Sequence, residues 1–228
     1  MSSLMNTLYR VKRTELEMMQ TRGYDISAVR ALLKYKPDEF VKYYSAQMQK
    51  TGKNIYDLLS SLYVNPQGEY IYVFYSPEKD KATGKSIVTE VLNDINELRK
   101  TYNVHHAVII SAKGLSPEAN SLMGRLPLYY IQSFTYSSLL WNITRHVLVD
   151  PHTLMTDKEV EEFLKENRYI SLDKMPIIKD TDAIAKFLGA VPGQVIKIRR
   201  RITEYPSMSN VGLFYRYVKA EADIMGGV

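Results

Sequence analysis

The 228-residue chain contains no cysteine, which excludes a disulfide framework, thiolate metal ligands and a thiol nucleophile. No stretch approaches the roughly 20 apolar residues that a spanning helix needs. The opening MSSLMNTLYRVKR lacks the apolar run of a signal peptide, so an intracellular protein is expected and the Asn142-Ile143-Thr144 sequon is expected to be idle. Repeats and low-complexity segments are absent. Histidine numbers only four: His105 and His106 are neighbours in a predicted strand and point to opposite faces, while Pro151 separates His146 from His152. No zinc site is expected. Nor does any Asp or Glu stand two positions before a Lys, the spacing by which a metal-dependent nuclease pairs a Mg²⁺-holding carboxylate with a lysine that assists the attacking water.

What is present is ordinary for a globular protein: 45% apolar and 24% charged residues, with a net charge of +5. The basic excess lies mostly before residue 139 and favours acidic partners without establishing nucleic-acid binding. Leu4, Leu8, Val11, Leu16 and Met19 predict a first helix ending near Gly23, and Asp38 after Pro37 is read as the cap of a second helix. The segment 54–64 is ambiguous. Glu69–Tyr75 predicts a buried strand, Ile87–Tyr102 a helix, Val104–Ser111 a strand, Pro117–Gly124 a short helix and Leu128–Phe134 another strand. That alternation is the signature of a parallel α/β layer with right-handed crossovers.

The pattern changes near Leu139. Ile143–Val149 is expected to be extended up to Pro151. Thr156 and Glu159 form a capping box for a helix reaching about Asn167. Asp182 caps a short helix closed by Gly189, Pro192-Gly193 turns into a strand over 194–201, and Gly212–Val218 predicts its partner. The tail 220–228 is expected to be mobile. Two small domains follow, 1–138 and 139–228.

Gly84-Lys85-Ser86, after a strand and before a helix, imitates the end of a phosphate-binding loop. The glycine such a loop needs five positions earlier is Lys79, so the expected reading is a surface turn with Ser86 capping the helix. Lys113-Gly114-Leu115-Ser116-Pro117-Glu118 puts Ser at a cap and Pro at the first helical position, with free amides facing outward beside Lys113. From these residues alone an ordinary strand–helix turn is favoured over a phosphate-facing surface. Arg199-Arg200-Arg201 fits a solvated face and a partner interface equally well.

Asn142-Ile143-Thr144, His146, Leu148-Val149, Pro151 and His152 resemble the opening of the assembly domain of the small subunit shared by the three eukaryotic nuclear RNA polymerases, whose C-terminal half corresponds to a separate small subunit of archaeal RNA polymerase. The likeness continues through Met175-Pro176-Ile177-Ile178, Asp182-Ala183 to Gly189, Gly193-Gln194-Val195-Ile196-Lys197 to Arg200, and Tyr215-Arg216. In the first half Arg22-Gly23-Tyr24, Glu39-Phe40, Gly84-Lys85-Ser86 and Leu115-Ser116-Pro117 to Ala119 are similar to that family's motifs. Ala183 replaces the family's proline, and residues 202–212 and the tail depart from its pattern, which leaves room for a copy encoded by a large DNA virus.

The resemblance implies a restriction-endonuclease-like α/β jaw domain without nuclease residues and a mixed α+β assembly domain docked on the largest subunit. It implies a non-catalytic role with no cofactor and no metal. It also implies weak contact with downstream duplex DNA through Lys113, Ser116 and Pro117. Contact with partner subunits is expected from His146, Leu148, Pro151, His152, Pro176, Ile177, Asp182, Gly189, Gly193, Lys197, Arg199, Arg200, Tyr215 and Arg216. Nuclear localisation is expected for a cellular copy, and the virion or infected-cell cytoplasm for a viral one. A divergent nuclease and a free-standing transcription regulator are the alternatives.

Overall fold

A computed structural model describes residues 3–77, 82–123, 130–167, 171–201 and 211–225. Internal contacts divide the chain into two compact units, Met1–Trp141 and Asn142–Val228. Each carries its own four-stranded sheet, so the chain has a mixed α/β fold.

In the first unit, helix α1 (Ser3–Thr21) buries Leu8, Val11, Leu16, Met18 and Met19 at the predicted helical spacing. Helix α2 (Pro37–Thr51) starts with Pro37 at its first turn. Its entry is closed by Glu39 rather than Asp38, since Glu39 Oε2 accepts from the Lys36 amide at 2.7 Å. The ambiguous stretch divides into helix α3 (Ile55–Leu59), capped by Asn54, and strand β1 (Ser61–Val64). Strand β2 (Tyr70–Tyr75), helix α4 (Lys85–Leu98), strand β3 (Val104–Ser111), helix α5 (Pro117–Met123) and strand β4 (Tyr130–Thr135) follow.

Strands β2, β3 and β4 pair in parallel and β1 joins antiparallel, in the order β1-β2-β3-β4. The predicted parallel layer is present, and its antiparallel edge strand is an addition. Val88, Val91 and Ile95 of α4 and Ala119 of α5 pack with Phe74 and Ile109 over one face of the sheet. Residues 78–81 and 124–129 lie outside the described residues.

Lys12 reaches the first unit's core with its charge intact. Its Nζ lies 2.8 Å from Glu15 Oε2, donates to the Leu59 carbonyl at 2.9 Å and the Tyr63 hydroxyl at 3.0 Å, and sits 5.6 Å from the centroids of the Tyr63 and Tyr75 rings. Both Lys12 and Glu15 are fully buried. Burial, the largest single influence, would depress the lysine; the Glu15 carboxylate, Tyr63 and Tyr44 together outweigh burial and hold Lys12 above its ordinary value. Burial likewise pushes the Tyr63 hydroxyl up to about 12. The network ties α1 to the α3–β1 junction, a connection between residues about fifty positions apart.

In the second unit the residues expected to be extended, 143–149, instead begin with a 3-10 turn over Ile143–Arg145. Asn142 Oδ1 accepts from the Thr144 amide at 3.0 Å and its hydroxyl at 2.6 Å, a local closure that competes with strand geometry. Strand β5 (His152–Leu154), helix α6 (Asp157–Glu166), strand β6 (Ile177–Lys179), helix α7 (Ala183–Leu188), strand β7 (Val195–Arg201), strand β8 (Val211–Lys219) and helix α8 (Glu221–Met225) complete the chain. The tail expected to be mobile thus forms α8, with the Lys179 ammonium 2.9 Å from Glu221; residues 226–228 lie outside the described residues, as does 202–210.

The sheet order is β5-β7-β8-β6. Alternation along β7 and β8 gives the sheet two apolar faces. Ile196, Ile198 and Val218 pack with Ile184, Ala185 and Leu188 of α7, while Val195, Tyr215 and Tyr217 pack with Met155, Met175 and Phe163. The capping box of α6 is as expected: Glu159 Oε2 accepts from the Thr156 amide at 2.8 Å and Thr156 Oγ1 from the Glu159 amide at 3.3 Å.

Replacing Lys12 by Met leaves Glu15 buried without its counter-ion and is expected to cost about 3–5 kcal/mol, most of it recovered in the Lys12→Met/Glu15→Leu double variant; urea unfolding of the three chains measures this. Because Lys12 is held above its ordinary value, its contribution is complete below about pH 10.4 and declines as pH rises past that point. Stability of the wild type should therefore fall more steeply in alkali than that of the double variant.

Candidate interaction surfaces

Two places gather the residues singled out by the sequence. In the first unit, the turn that opens α5 and the turn that opens α4 are joined. Thr83 and Leu115 form an isolated parallel bridge, with the Thr83 amide donating to Gly114 O at 2.8 Å and the Ser116 amide to Thr83 O at 2.9 Å. Thr83 itself is buried, its hydroxyl donating to Ser76 Oγ at 3.0 Å. Gly84, not Ser86, is the cap residue of α4, and no side chain caps that helix.

Lys113 and Pro117 are exposed and Ser116 is half-buried, so the three residues expected near DNA share one turn. The amides are not free, however. The Ser116 amide is spent on Thr83, Pro117 has none, and the Ala119 amide donates to Ser116 Oγ at 3.2 Å. The Glu118 carboxyl takes a bond from its own backbone amide and another from Ser116, and is held below its ordinary value by them. Lys113 is the one basic residue between positions 113 and 118.

In the second unit the expected contact residues separate by what holds them. Asp182 Oδ1 accepts from the amides of Ile184 and Ala185 at 2.9 and 3.4 Å, and Gly189 and Gly193 take left-handed backbone with φ of 72° and 99°, which side chains with a Cβ resist. These three positions are committed to the local fold. Lys197 Nζ reaches Glu159 Oε1 at 3.1 Å and pins α6 to β7. The Thr156 amide foremost, and then Lys197, holds the Glu159 carboxyl below its ordinary value. His152 is half-buried at the start of β5, its ring turned back on the Asp150 carbonyl.

The remaining residues form surface. His146, Leu148 and Pro151 are exposed on the loop before β5, where Pro151 O accepts from the Arg199 amide at 2.9 Å. Val147 beside them is 92% exposed and Leu148 84%. Arg199 and Arg200 are exposed on β7; the Arg200 guanidinium lies 3.3 Å from Asp150 and 5.0 Å from the Phe214 ring centroid. Arg216 donates to the Ile177 carbonyl at 2.9 Å. Ile177 is exposed, and Pro176 and Tyr215 line a pocket of about 300 Å³ together with Phe163, Lys174, Met175, Leu213 and Phe214. Sequence reasoning missed Val147, Lys174, Leu213 and Phe214. The two apolar pairs carried a legible signal, since each sets neighbouring apolar residues where strand alternation can bury only one.

Among the described residues, no group of three or more His, Asp or Glu side chains could hold a metal ion, and no helix is long and apolar enough to cross a membrane. The class of protein that this arrangement defines is a two-unit α/β polypeptide whose second unit exposes apolar and basic side chains. Comparison with known proteins gives the family. Residues 2–92 match the RNA polymerase Rpb5 N-terminal domain and residues 141–218 the RNA polymerase Rpb5 C-terminal domain. The chain is 31% identical over 195 residues to the DNA-directed RNA polymerase subunit 5-like protein 1 of Arabidopsis thaliana, covering 85% of this chain and 88% of that protein. It is 30% identical over 196 residues to the DNA-directed RNA polymerases I, II, and III subunit RPABC1 of Caenorhabditis elegans, with the same coverage. The Dictyostelium discoideum counterpart is 27% identical over 198 residues, 86% of this chain and 90% of its own. The chain belongs to the Rpb5 family of RNA polymerase subunits.

Replacing Ser116 by Ala removes the acceptor of the Ala119 amide and is expected to lower stability by about 1 kcal/mol. Thermal unfolding checks this, and Ser116→Asp should restore most of the loss.

Proposed function

We propose that the chain is a non-catalytic subunit of a multisubunit DNA-directed RNA polymerase, anchored by its second unit to the largest subunit. The reading is carried by the collinear match of the Rpb5 N- and C-terminal domains to the two units. The exposed apolar and basic surface of the second unit, built from Val147, Leu148, Arg199 and Arg200, supports it, because such a surface favours a protein partner over water.

In the same proposal residues 1–138 are a jaw domain of restriction-endonuclease-like architecture, and residues 139–228 an assembly domain. The β1-β2-β3-β4 sheet with α4 and α5 on one face supports the first assignment. The jaw forms one wall of the channel for downstream duplex DNA and meets phosphates through the Lys113 turn. With the amides of Ser116 and Ala119 engaged, that contact is a single screened charge, weak and independent of base sequence. RNA synthesis belongs to the larger subunits, and a cellular copy works in the nucleus.

The chain, tagged and isolated from its native source, should carry the polymerase core with it through a salt wash that strips peripheral factors. Recovery of the chain free of polymerase would refute the anchoring role. The isolated chain should bind duplex DNA no tighter than the non-specific range of about 10⁻⁴ to 10⁻⁶ M at physiological salt. A nanomolar dissociation constant, or cleavage of a plasmid in Mg²⁺, would count against a positioning role.

A further inference from the structure

Among the described residues, the sheet of the second unit is incomplete on one side of β8. The Val218 amide donates to Gln194 O at 2.8 Å and Val218 O accepts from Gly193 at 3.0 Å, whereas the Tyr217 amide donates to Pro176 O at 2.9 Å. Val218 thus faces the β7 side and Tyr217 the β6 side. Because backbone groups alternate along a strand, Tyr215 and Leu213 aim their N–H and C=O the same way as Tyr217. Strand β6 begins at the Ile177↔Tyr217 pair. Beyond it, Tyr215 and Leu213 have no strand partner on that side among the described residues, although β7 continues to pair β8 from the other side as far as Arg201↔Val211.

The open edge coincides with the pocket between Phe163, Met175, Pro176 and Tyr215. Leu213 is 53% exposed and Phe214 43% at its mouth. An unpaired edge beside an apolar socket has what a strand-adding segment needs: backbone groups for affinity and a pocket for one side chain in register. Basic groups outnumber acidic ones around it. Among the described residues Lys174 is the only charged one lining the pocket, Arg199 stands opposite Leu213 on β7, and Arg216 donates to the carbonyl of Ile177 at the start of β6. The nearby acids are engaged, Asp173 with Ser171, Asp150 with Arg200, and Glu159 with Lys197, which stands opposite Tyr215 on β7.

We propose that the edge of β8 at Leu213 and Tyr215 receives an extended, acidic segment of another polymerase subunit, which adds a strand beside β8 and places one apolar side chain in the pocket. A second copy of this chain is disfavoured because it would bring the same lysine and arginines face to face. The inference rests on the reading of the chain as a polymerase subunit.

Hydrogen–deuterium exchange of the wild-type chain, free and reconstituted into the polymerase, tests it. The amides of Leu213 and Tyr215 should exchange at least about tenfold more slowly in the assembly. Lys174→Glu, a surface change expected to leave the unfolding midpoint unaltered, should weaken assembly by about tenfold at low salt and by less as salt rises. Equal exchange at Leu213 and Tyr215 in a properly assembled polymerase overturns the strand-addition proposal while leaving the polymerase reading intact. Failure of the wild-type chain to assemble at all overturns that reading instead. Protection that grows with concentration of the free chain identifies a second copy as the occupant and overturns the partner assigned here.

Discussion

The pairing of β7 with β8 is the constraint on which the second unit depends. Its register, from Val195↔Tyr217 to Arg201↔Val211, decides which side chains enter which of the two small cores. Ile196 and Ile198 of β7 meet α7, and Val195 on the other face meets Met155 and Met175. A slip of one residue would move each set to the opposite face and into the other cluster's place. The same hairpin carries Arg199 and Arg200 out to solvent and aligns Arg200 with Asp150 and Phe214. The placing of these exposed arginines is therefore fixed by the interior.

The first unit is organised by a different device. Its parallel strands must be covered on both faces, and α1 brings to that interior a lysine and a glutamate rather than apolar residues alone. Such a buried pair contributes little net stability compared with a well-packed apolar replacement, but it penalises any packing that separates the two charges. A second connection joins the turns before α4 and α5 through Thr83 and Leu115. That bridge consumes the Ser116 amide, so the surface turn is held rigidly at the cost of its donors.

Much of this was legible before any fold was known, for reasons that are local. The caps at Thr156 and Asp182, the stop at Gly189 and the turn at Gly193 each depend on residues within a few positions, so their sequence signals survive folding. The parallel layer of β2, β3 and β4 followed from the alternation of apolar strands with a helix of clear period. The errors were local too. Glu39 displaced Asp38 because a carboxylate three residues on reaches the Lys36 amide, and the expected strand after Leu139 became a turn because Asn142 closes on Thr144. Helix α8 was missed because a short helix near a chain end has a weak signal until Lys179 and Glu221 meet.

The amino-acid sequence by itself determined the family, the two-part organisation, the order of most elements and the absence of thiol chemistry, since these depend on residue types and short-range spacing. Only the tertiary structure decided that Lys12 and Glu15 share a buried site, that the Ser116 amide is occupied, and that β6 stops short of Leu213 and Tyr215. Each depends on groups that fold together from distant parts of the chain, and no periodicity along one segment records where another segment ends.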